Sequence, residues 1–390
     1  MDTQKPTLLF IGHSFHSKTR STVFFQDILK REYAVRTFSF DPLTDDPRTQ
    51  FRPLYGSRFD VVVILQVRPD LEEFHRHVSF GKCVFVPMFD YLPPLEDPEW
   101  EPYRNTLVVC FSYTLHQALS SRGFHSRFIR YYPPVPQVPD RGNPRKLFLW
   151  QRTTDVSLDT VMRLFGAGRL DEIHHHRALD PGFSERPPAL PPPCPVTTSL
   201  WFPRKDDLVR AISSAALYMA PRLHEGIGMS FLEAMAMGRC VIAPDNPTMS
   251  EYIEHGKTGL LYDAGNPMPL PDFDVRAIQD AALARMKQGR EEWERDQESI
   301  LAWIREWAPP TWRSESAARA PLRSMLDSRT IATYRLFRWI PLLRTAKVGN
   351  TIVYWLFGIL PLFVRKATQE GTSLWLFGLV RIWKSEVRHG

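Results

Sequence analysis

A pair of glutamates brackets a glycine loop in the second half of the chain. Glu225 precedes Gly226 and Gly228, and Glu233 lies eight residues after Glu225. Because glycine has no Cβ, the N–H groups of such a loop can approach a ligand closely, and a following helix points its positive end at the same place. We expect the loop to hold a phosphate and the carboxylates to orient sugar hydroxyls rather than to bind the anion.

Each of these features also has a simpler explanation. Ser230 and Glu233 have the S-x-x-E spacing of a capping box, which stabilises the start of a helix without any ligand. Gly226 and Gly228 are compatible with an ordinary turn, because two glycines two positions apart are a weak signal. The individual residues therefore leave both explanations open.

The surrounding sequence predicts the elements that position the loop. A buried strand ends near Ala220 before the loop, a helix of small residues spans about 230–237, and a second strand spans 240–243. This order of strand, loop, helix and strand indicates a parallel sheet. Parallel sheets bind ligands at the carboxyl ends of their strands, which is where the loop lies.

The stretch HEGIGMSFLEAMAMGRCVIAPD, followed by SEYIEHGKTGLLYD, resembles the signature of the retaining glycosyltransferases of family 4. The matching features are an E-x7-E pair, a glycine at a helix end and an E-x4-G-x2-G run: Glu225 and Glu233, then Gly238, then Glu251, Gly256 and Gly259. The resemblance covers about 45 residues strongly and about 300 loosely. It implies an α/β chain with the GT-B fold, in which two Rossmann-like domains face a cleft.

The same resemblance implies roles for these residues. Glu225 would lie against the donor sugar, and Glu233 would hold the ribose of the nucleotide. Two backbone segments would cradle the diphosphate: Gly226, Ile227 and Gly228, and Met249, Ser250 and Glu251. The donor would be a nucleotide-diphosphate-sugar, bound without a cofactor or a metal.

A predicted strand at 146–150 runs into Arg152. In the resembling family this strand ends in a Gly-Arg pair, followed about five residues later by a lysine that reaches the diphosphate. Here Gln151 replaces the glycine, Arg152 matches, and the lysine position falls near Ser157. A guanidinium can bind two phosphate oxygens at once, so Arg152 is a candidate diphosphate ligand. Lys205 or Arg222 are the candidate substitutes for the missing cation.

Asp90 follows a predicted strand in the sequence FVPMFDYLPP. Resembling enzymes often carry a histidine or an aspartate there, facing the donor sugar. A simple turn aspartate is the alternative. With Glu225 and Arg152, Asp90 completes the set of candidate catalytic residues.

The length of 390 residues exceeds a single core of typical size and predicts two domains. Strand and helix patterns alternate over residues 1–140, with strands at 7–11, 61–65, 83–87 and 107–111. The proline-rich segment 130–144 marks the boundary to a nucleotide-sugar-binding domain at 141–308. A linker at 309–327 and a tail at 328–390 follow.

The loop after the first predicted strand, GHSFHSKTRST, is basic and lies at the carboxyl end of that strand. Lys18 and Arg20 are therefore candidate contacts to the acceptor, and a solvated loop is the alternative.

His174, His175 and His176 suggest a metal site, but adjacent residues on a strand point to opposite faces and cannot all reach one ion. The four cysteines are scattered singly without metal or disulfide spacing, which is typical of a reducing compartment. No secretory signal is visible at the N-terminus, so we expect a cytoplasmic location.

The tail differs from the rest of the chain in charge. Residues 328–390 hold ten Lys or Arg against two Glu, a net charge of +8, whereas the whole chain carries +6. Ten aromatic residues accompany these charges, and residues 376–387 fit an amphipathic helix. We expect a helical tail in the interface of an anionic membrane. Packing on the protein's own body and a true span at 348–364 are the alternatives.

Together these features predict a membrane-associated retaining glycosyltransferase. It would act at the inner face of the membrane and move a sugar to a lipid-linked or saccharide acceptor in the synthesis of cell-surface polysaccharide, lipopolysaccharide or glycolipid. The alternative is a binding or scaffold protein that kept the fold and lost the chemistry, suggested by the missing lysine. A nucleic-acid partner is not expected, because the basic residues are concentrated in apolar, aromatic-rich segments and not in exposed basic patches.

Overall fold

The computed structural model describes residues 5–41, 45, 49–92, 98–137, 140–180, 183–184, 187–309 and six strands between 331 and 386. The chain divides into two compact units, Met1–Pro310 and Thr311–Gly390. The first unit contains two parallel α/β sheets, and the second contains an antiparallel sheet. The predicted pair of Rossmann-like domains is therefore confirmed in the first unit.

The first domain is a six-stranded parallel sheet with the strand order β2-β1-β3-β4-β5-β6. The strands are β1 (Thr7–His13), β2 (Ala34–Phe40), β3 (Arg58–Leu65), β4 (Ser79–Val86), β5 (Leu107–Cys110) and β6 (Ser126–Phe128). The helices are α1 (Phe15–Thr19), α2 (Val23–Leu29), α3 (Leu71–His77) and α4 (Tyr113–Ser120). Inner strands such as β5 are wholly buried, as continuous apolar runs in a parallel sheet should be.

All four strands predicted for this domain are present, and β2 and β6 are the two that were missed. Both are edge strands. Most residues of β2 are exposed or half-buried, so its sequence lacks the apolar run that identifies an inner strand.

The second domain repeats this architecture with the strand order β12-β11-β10-β7-β8-β9. Its strands are β7 (Asn143–Gln151), β8 (Glu172–Arg177), β9 (Val196–Ser199), β10 (Ala215–Met219), β11 (Cys240–Pro244) and β12 (Leu260–Tyr262). Its helices are α5 (Leu158–Phe165), α6 (Lys205–Ser213), α7 (Met229–Ala236), α8 (Met249–Tyr252), α9 (Val275–Asp296) and α10 (Glu298–Glu306). The central strands β7, β10 and β11 carry the loops of the predicted site.

Helices α9 and α10 return to the first domain. Lys82 on β4 donates to the carbonyls of Ile304 and Arg305 at 2.8 and 2.6 Å, at the end of α10. This places a cation at the negative end of that helix. Trp293 on α9 packs edge-on against Tyr131, with ring centroids 5.1 Å apart. These contacts fix the two domains against each other.

The second unit is an antiparallel meander in the order β13-β14-β15-β16-β17-β18. Its strands are β13 (Ile331–Leu336), β14 (Ile340–Val348), β15 (Thr351–Leu356), β16 (Leu360–Thr368), β17 (Gly371–Leu376) and β18 (Val380–Glu386). The odd-numbered strands begin at residues 331, 351 and 371 and the even-numbered ones at 340, 360 and 380. The unit is thus three hairpins with a 20-residue repeat.

The prediction of a helical tail is wrong. Of the residues expected on one helical face, Leu376 lies in β17, and Val380 and Trp383 lie in β18. The described part of the uncharged run 348–364 is divided among β14, β15 and β16. The segment is rich in aromatic and β-branched residues, which favour strands. The 20-residue repeat indicates hairpins, which a search for a 3.6-residue period does not detect. Among the described residues, no helix is both long and apolar enough to cross a membrane. The predicted linker lies outside the described residues except for Pro309.

Candidate functional site

Four charged side chains form one cluster between the two domains. Both Arg152 and Arg222 bind Asp180: the Nε atom of each guanidinium donates to it at 2.9 Å, to Oδ1 and Oδ2 respectively. Arg222 also donates from Nη1 to Oδ2 of Asp90 at 3.2 Å. The exposed fraction of these side chains is 13–24%, so the ion pairs are shielded from bulk water.

The cluster lies at the carboxyl ends of parallel strands. Arg152 follows β7, Asp180 follows β8 and Arg222 follows β10 in the second domain. Asp90 reaches the cluster from the first domain, from a short 3₁₀ helix after β4. This is the edge at which open α/β sheets bind ligands. The structure therefore brings Asp90 and Arg152 together, as the resemblance implied.

Glu225 is the most deeply buried acid of the site, with an exposed fraction of 6%. Within the part of the chain that the structure describes, its Oε1 atom is buried without a hydrogen-bond partner. Burial raises the pKa of Glu225 to about 7; Arg222 and Arg152 lower it, and Asp90 and Asp180 add to the rise. The carboxyl group is therefore poised to change its charge near neutral pH.

Asp90 has a similar environment. Burial raises the pKa of this carboxyl above its usual range, while the nearby Arg222 acts in the opposite direction. Asp90 does lie in a single 3₁₀ turn, but its side chain is only 14% exposed, unlike that of a solvated turn aspartate. Buried acids that share a cluster with fixed guanidinium groups are a recurring feature of functional sites.

The glycine loop packs closely on the first domain. A Cβ at Gly226 would lie 2.9 Å from the Asp90 carboxylate and from the Met88 side chain, so only glycine fits there. Gly228 has a φ of +78° and serves as the N-cap of α7. The loop therefore needs glycine both for a left-handed turn and for close approach of the domains. Between these glycines, Ile227 is buried.

The capping-box explanation for Glu233 is wrong, because α7 begins at Met229 and Ser230 is already inside the helix. The Glu233 side chain is 44% exposed, and its nearest cation is Lys205 at 3.7 Å. Its carboxylate is therefore free to bind a ligand from solvent. Lys205 lies beside Glu233 and not among the site arginines, whereas Arg222 shares Asp180 with Arg152.

Ser157, where the family's lysine would lie, begins helix α5, and its N–H donates to the Thr160 hydroxyl at 3.3 Å. Gln151 is buried, and its Oε1 atom lies 2.6 Å from Nε2 of His175. Both departures from the family pattern thus have structural partners in this chain.

Thr248 was not singled out in the sequence, yet it is strained. Its φ of +76° is unusual for a β-branched residue, and its hydroxyl donates to the Glu225 carbonyl at 2.6 Å. The bond ties the loop before α8 to the glycine loop. Met249 and Ser250 begin α8 directly after it, so the two segments expected to cradle a diphosphate are adjacent.

Glu251 is held elsewhere, at the N-terminus of α4. Its carboxylate accepts from the Ser112 hydroxyl and the Tyr113 N–H, both at 2.7 Å, and from the Thr114 N–H at 3.0 Å. Burial alone would raise the pKa of Glu251, but these hydrogen bonds lower it below the usual range. The structure thus gives this carboxylate a role as a clasp between the domains and does not bring it to the arginine cluster.

The three histidines alternate in direction along β8, as predicted. His174 and His176 both contact the Ser199 hydroxyl, at 2.8 and 2.9 Å, whereas His175 contacts Gln151 on the other face. Over the described ranges, no group of three or more His, Cys, Asp or Glu residues is arranged to hold a metal ion.

A cavity of about 310 Å³ opens at the carboxyl end of β1. Arg20, at the end of α1, lines it together with His13, His16 and Gln26. His16 lies 2.6 Å from Gln66 Oε1 and 2.7 Å from Ser21 Oγ. The side chain of Lys18 lies outside the described part of the chain.

Asp180 is the site residue that sequence reasoning missed entirely. It lies three residues after the end of β8, in the sequence RALDPGF, where no motif marks it. Only the closeness of β7, β8 and β10 in the sheet reveals that this segment lies between two arginines.

Comparisons with known proteins show which region of the chain has a known counterpart. Residues 190–280 match the family model described as Glycosyl transferases group 1. The D-inositol 3-phosphate glycosyltransferase of Paenarthrobacter aurescens is 28% identical over 171 residues, which are 43% of this chain and 37% of that protein. The chain thus matches little more than a third of that relative's length.

Solved structures with a similar fold include Anabaena HepE, in complex with UDP and glucose. The match covers 76% of this chain and 100% of HepE, with a TM-score of 0.51 and 13% identity. Sucrose-phosphate synthase from Thermosynechococcus elongatus is matched over 77% of this chain and 98% of its own, with a TM-score of 0.50 and 15% identity. At these identities the likeness establishes the fold. The chain therefore has a GT-B fold, and Glu225, Glu233 and Glu251 lie in the region that matches the glycosyl transferases group 1 model.

Proposed function

We propose that the chain is a retaining glycosyltransferase that takes a sugar from a nucleotide-diphosphate-sugar. The observation that carries this proposal is the buried Glu225, with an unpartnered oxygen among the described residues, beside the arginine cluster at the strand ends. This arrangement lies in and next to the region that matches the group 1 family model. The complex of HepE with UDP and glucose supports the choice of donor class.

The residues divide the work of donor binding. Arg152 and the start of α7 would stabilise the diphosphate, and Glu233, half-exposed at the second turn of α7, would bind the ribose. The N–H groups at Ile227 and Met249 would complete the diphosphate cradle, whereas the Ser250 N–H donates to the Asn246 carbonyl at 3.0 Å. Glu225 would position the donor sugar from the second domain, and Asp90 would face the sugar from the first domain.

Transfer would use charge stabilisation rather than a metal. As the bond from the anomeric carbon to the phosphate oxygen breaks, negative charge grows on the diphosphate, and fixed guanidinium and N–H groups lower the barrier. The acceptor would attack from the same face as the leaving group, with retention of configuration. Chelation of divalent ions should leave turnover unchanged, and recovery of a lost activity by Mg²⁺ or Mn²⁺ would contradict this mechanism.

The cavity at the end of β1 is the proposed acceptor site. Its imidazole, amide and hydroxyl groups suit the hydroxyls of a saccharide, and Arg20 suits an anionic group such as the phosphate of a lipid-linked acceptor. A lipid-linked acceptor of cell-surface polysaccharide or glycolipid synthesis would agree with the basic, aromatic second unit.

The second unit would hold the protein at the inner face of an anionic membrane. Each Lys or Arg near such a surface contributes about 1 kcal/mol, so the net charge of +8 on residues 328–390 provides strong, salt-sensitive attachment. The full chain should float with anionic liposomes at low salt, and a chain truncated after residue 327 should not. Equal flotation of both forms would show that the second unit is not the anchor.

A donor screen tests the proposed activity. The full chain is incubated with UDP-, GDP-, ADP- and dTDP-sugars, and release of the nucleotide is followed with and without membrane extract as the source of acceptor. We expect one donor class to be turned over and an Arg152→Ala variant to bind its nucleoside diphosphate at least tenfold more weakly. Binding of a nucleoside diphosphate without turnover would favour the inactive binding protein instead. Absence of both binding and turnover across the panel would overturn the proposal.

A further inference from the structure

Asp180 occupies the space between the two site arginines like a bound anion. Its Oδ1 accepts from Nε and Nη2 of Arg152 at 2.9 and 2.6 Å. Its Oδ2 accepts from Nε of Arg222 at 2.9 Å and also from Nη2. Each guanidinium thus presents two N–H groups to one oxygen. Guanidinium groups bind phosphate oxygens with the same fork of N–H donors.

Arg222 also supplies the positive charge that the missing lysine would provide. The expected lysine position is Ser157, whose backbone starts helix α5, so the structure offers no cation there. Arg222 instead shares the Asp180 carboxylate with Arg152, which brings the two guanidinium groups to opposite oxygens of one anion. Two cations that converge on one carboxylate are positioned to converge on one diphosphate.

The charge of the cluster argues that Asp180 has to leave. Asp180 and Asp90 already balance Arg152 and Arg222. A diphosphate added to this neutral, shielded cluster would meet two carboxylates, and both described arginines of the cluster are already paired. Like charges brought together in a buried site repel strongly, so the diphosphate gains its full attraction only when one carboxylate withdraws.

We infer that Arg152 and Arg222 form the diphosphate subsite and that the Asp180 carboxylate fills this subsite until the donor displaces it. This inference rests on the proposed function, since it names the groups that bind the donor of that reaction. It makes Asp180 a competitor of the donor within the chain and Arg222 the replacement for the absent lysine. Donor affinity is then set by the exchange of one anion for another.

Removal of the competing carboxylate should strengthen binding. By calorimetry with UDP, GDP and ADP, the nucleoside diphosphate that wild-type protein binds best should bind Asp180→Asn at least fivefold more tightly. The unphosphorylated nucleoside should bind both proteins equally, because it does not reach the arginines. Asp180→Ser is the second variant, and both variants keep the backbone carbonyl of Asp180, which accepts from the Phe183 N–H at 3.2 Å. Asp171→Asn is the matched control, because it removes an exposed carboxylate that pairs with Arg145.

Arg222→Gln should have the opposite effect. It should weaken binding of the nucleoside diphosphate at least tenfold without changing the affinity for the nucleoside. Unchanged or weaker binding to both Asp180 variants, or unchanged binding to Arg222→Gln, would overturn the inference while leaving the proposed function intact. Failure of the wild-type chain to bind any of the nucleoside diphosphates would overturn the proposed function as well.

Discussion

Glu225 and Glu251 lie in the same domain and both face the other domain, but their surroundings are opposite. Glu251 accepts three hydrogen bonds at the N-terminus of α4, and these bonds lower its pKa. Glu225 is almost fully buried, with one oxygen unpartnered among the described residues, and burial raises its pKa to about 7. One carboxylate stabilises the domain interface, and the other is a cost to it.

The difference teaches where function lies in this interface. A satisfied carboxylate at a helix N-terminus stabilises the fold and needs no ligand. A buried, unsatisfied one destabilises the folded state, and such groups are concentrated at sites where a ligand or a reaction uses them. The E-x7-E spacing marked Glu225 and Glu233, but only the geometry separates Glu225 from Glu251.

The first prediction uses pH to expose the cost of Glu225. Its pKa is raised from 4.5 to about 7, so the folded state binds more protons between these values and stability falls as pH rises through this window. The penalty is absent below about pH 4.5 and complete above about pH 7. It should amount to on the order of 3 kcal/mol.

Glu225→Gln has no such penalty. Urea unfolding at pH 5 and pH 8 should therefore show the variant gaining stability relative to wild type at the higher pH. Glu254→Gln, which changes an exposed glutamate that pairs with Lys257, is the control and should show no such trend. If the difference in unfolding free energy between Glu225→Gln and wild type does not change with pH, the buried environment assigned to Glu225 is refuted.

The second prediction concerns the clasp. Glu251→Ala removes the acceptor of three hydrogen bonds and should lower the free energy of unfolding by about 1–2 kcal/mol at pH 7. Because the pKa of Glu251 is lowered, its contribution is present above the unfolded-state value of 4.5 and is lost as pH falls through the lower folded-state value. Chemical denaturation at pH 7 measures the loss, with Glu254→Ala as the matched control. A loss of stability no larger than that of the control would contradict the role of Glu251 in stabilising the domain interface.

The third and smallest effect concerns Glu233. Its half-exposed carboxylate makes no cap, so Glu233→Ala should leave stability within about 0.5 kcal/mol of wild type. Binding of the nucleoside diphosphate should weaken about tenfold, which is about 1.4 kcal/mol. Calorimetry and thermal unfolding on the same sample check both parts. An unchanged affinity for the nucleoside diphosphate together with a lower melting temperature would show that Glu233 has a purely structural role.

Much of the first unit was predictable because its signals are local. The inner strands are continuous apolar runs, and the glycine loop precedes a helix of small residues, so strand, loop and helix follow from the sequence. The alternation of His174, His175 and His176 follows from strand geometry alone. The edge strands β2 and β6 were missed because they are short or mostly exposed.

What could not be predicted depends on contacts between distant segments. Asp180 has no motif, and its role appears only when the segment after β8 meets the loops after β7 and β10. Thr248 is an ordinary threonine in sequence, and both its positive φ and its bond to the Glu225 carbonyl appear only in the folded chain. In the second unit, apolar and aromatic residues are so frequent that a helical and a strand period both fit, and the 20-residue repeat was the missing observation.

Donor turnover by three proteins tests the central claim most directly. Wild type, Glu225→Ala and Glu251→Ala are assayed side by side with the nucleotide-sugar that the screen identifies, at a temperature where all three are folded. We expect Glu225→Ala to lose at least a thousandfold in turnover while its affinity for the nucleoside diphosphate stays within threefold, and Glu251→Ala to remain within threefold of wild type in turnover. Turnover by Glu225→Ala near the wild-type rate, or an equal loss in both variants, would contradict the assignment of Glu225 as the functional glutamate of this interface.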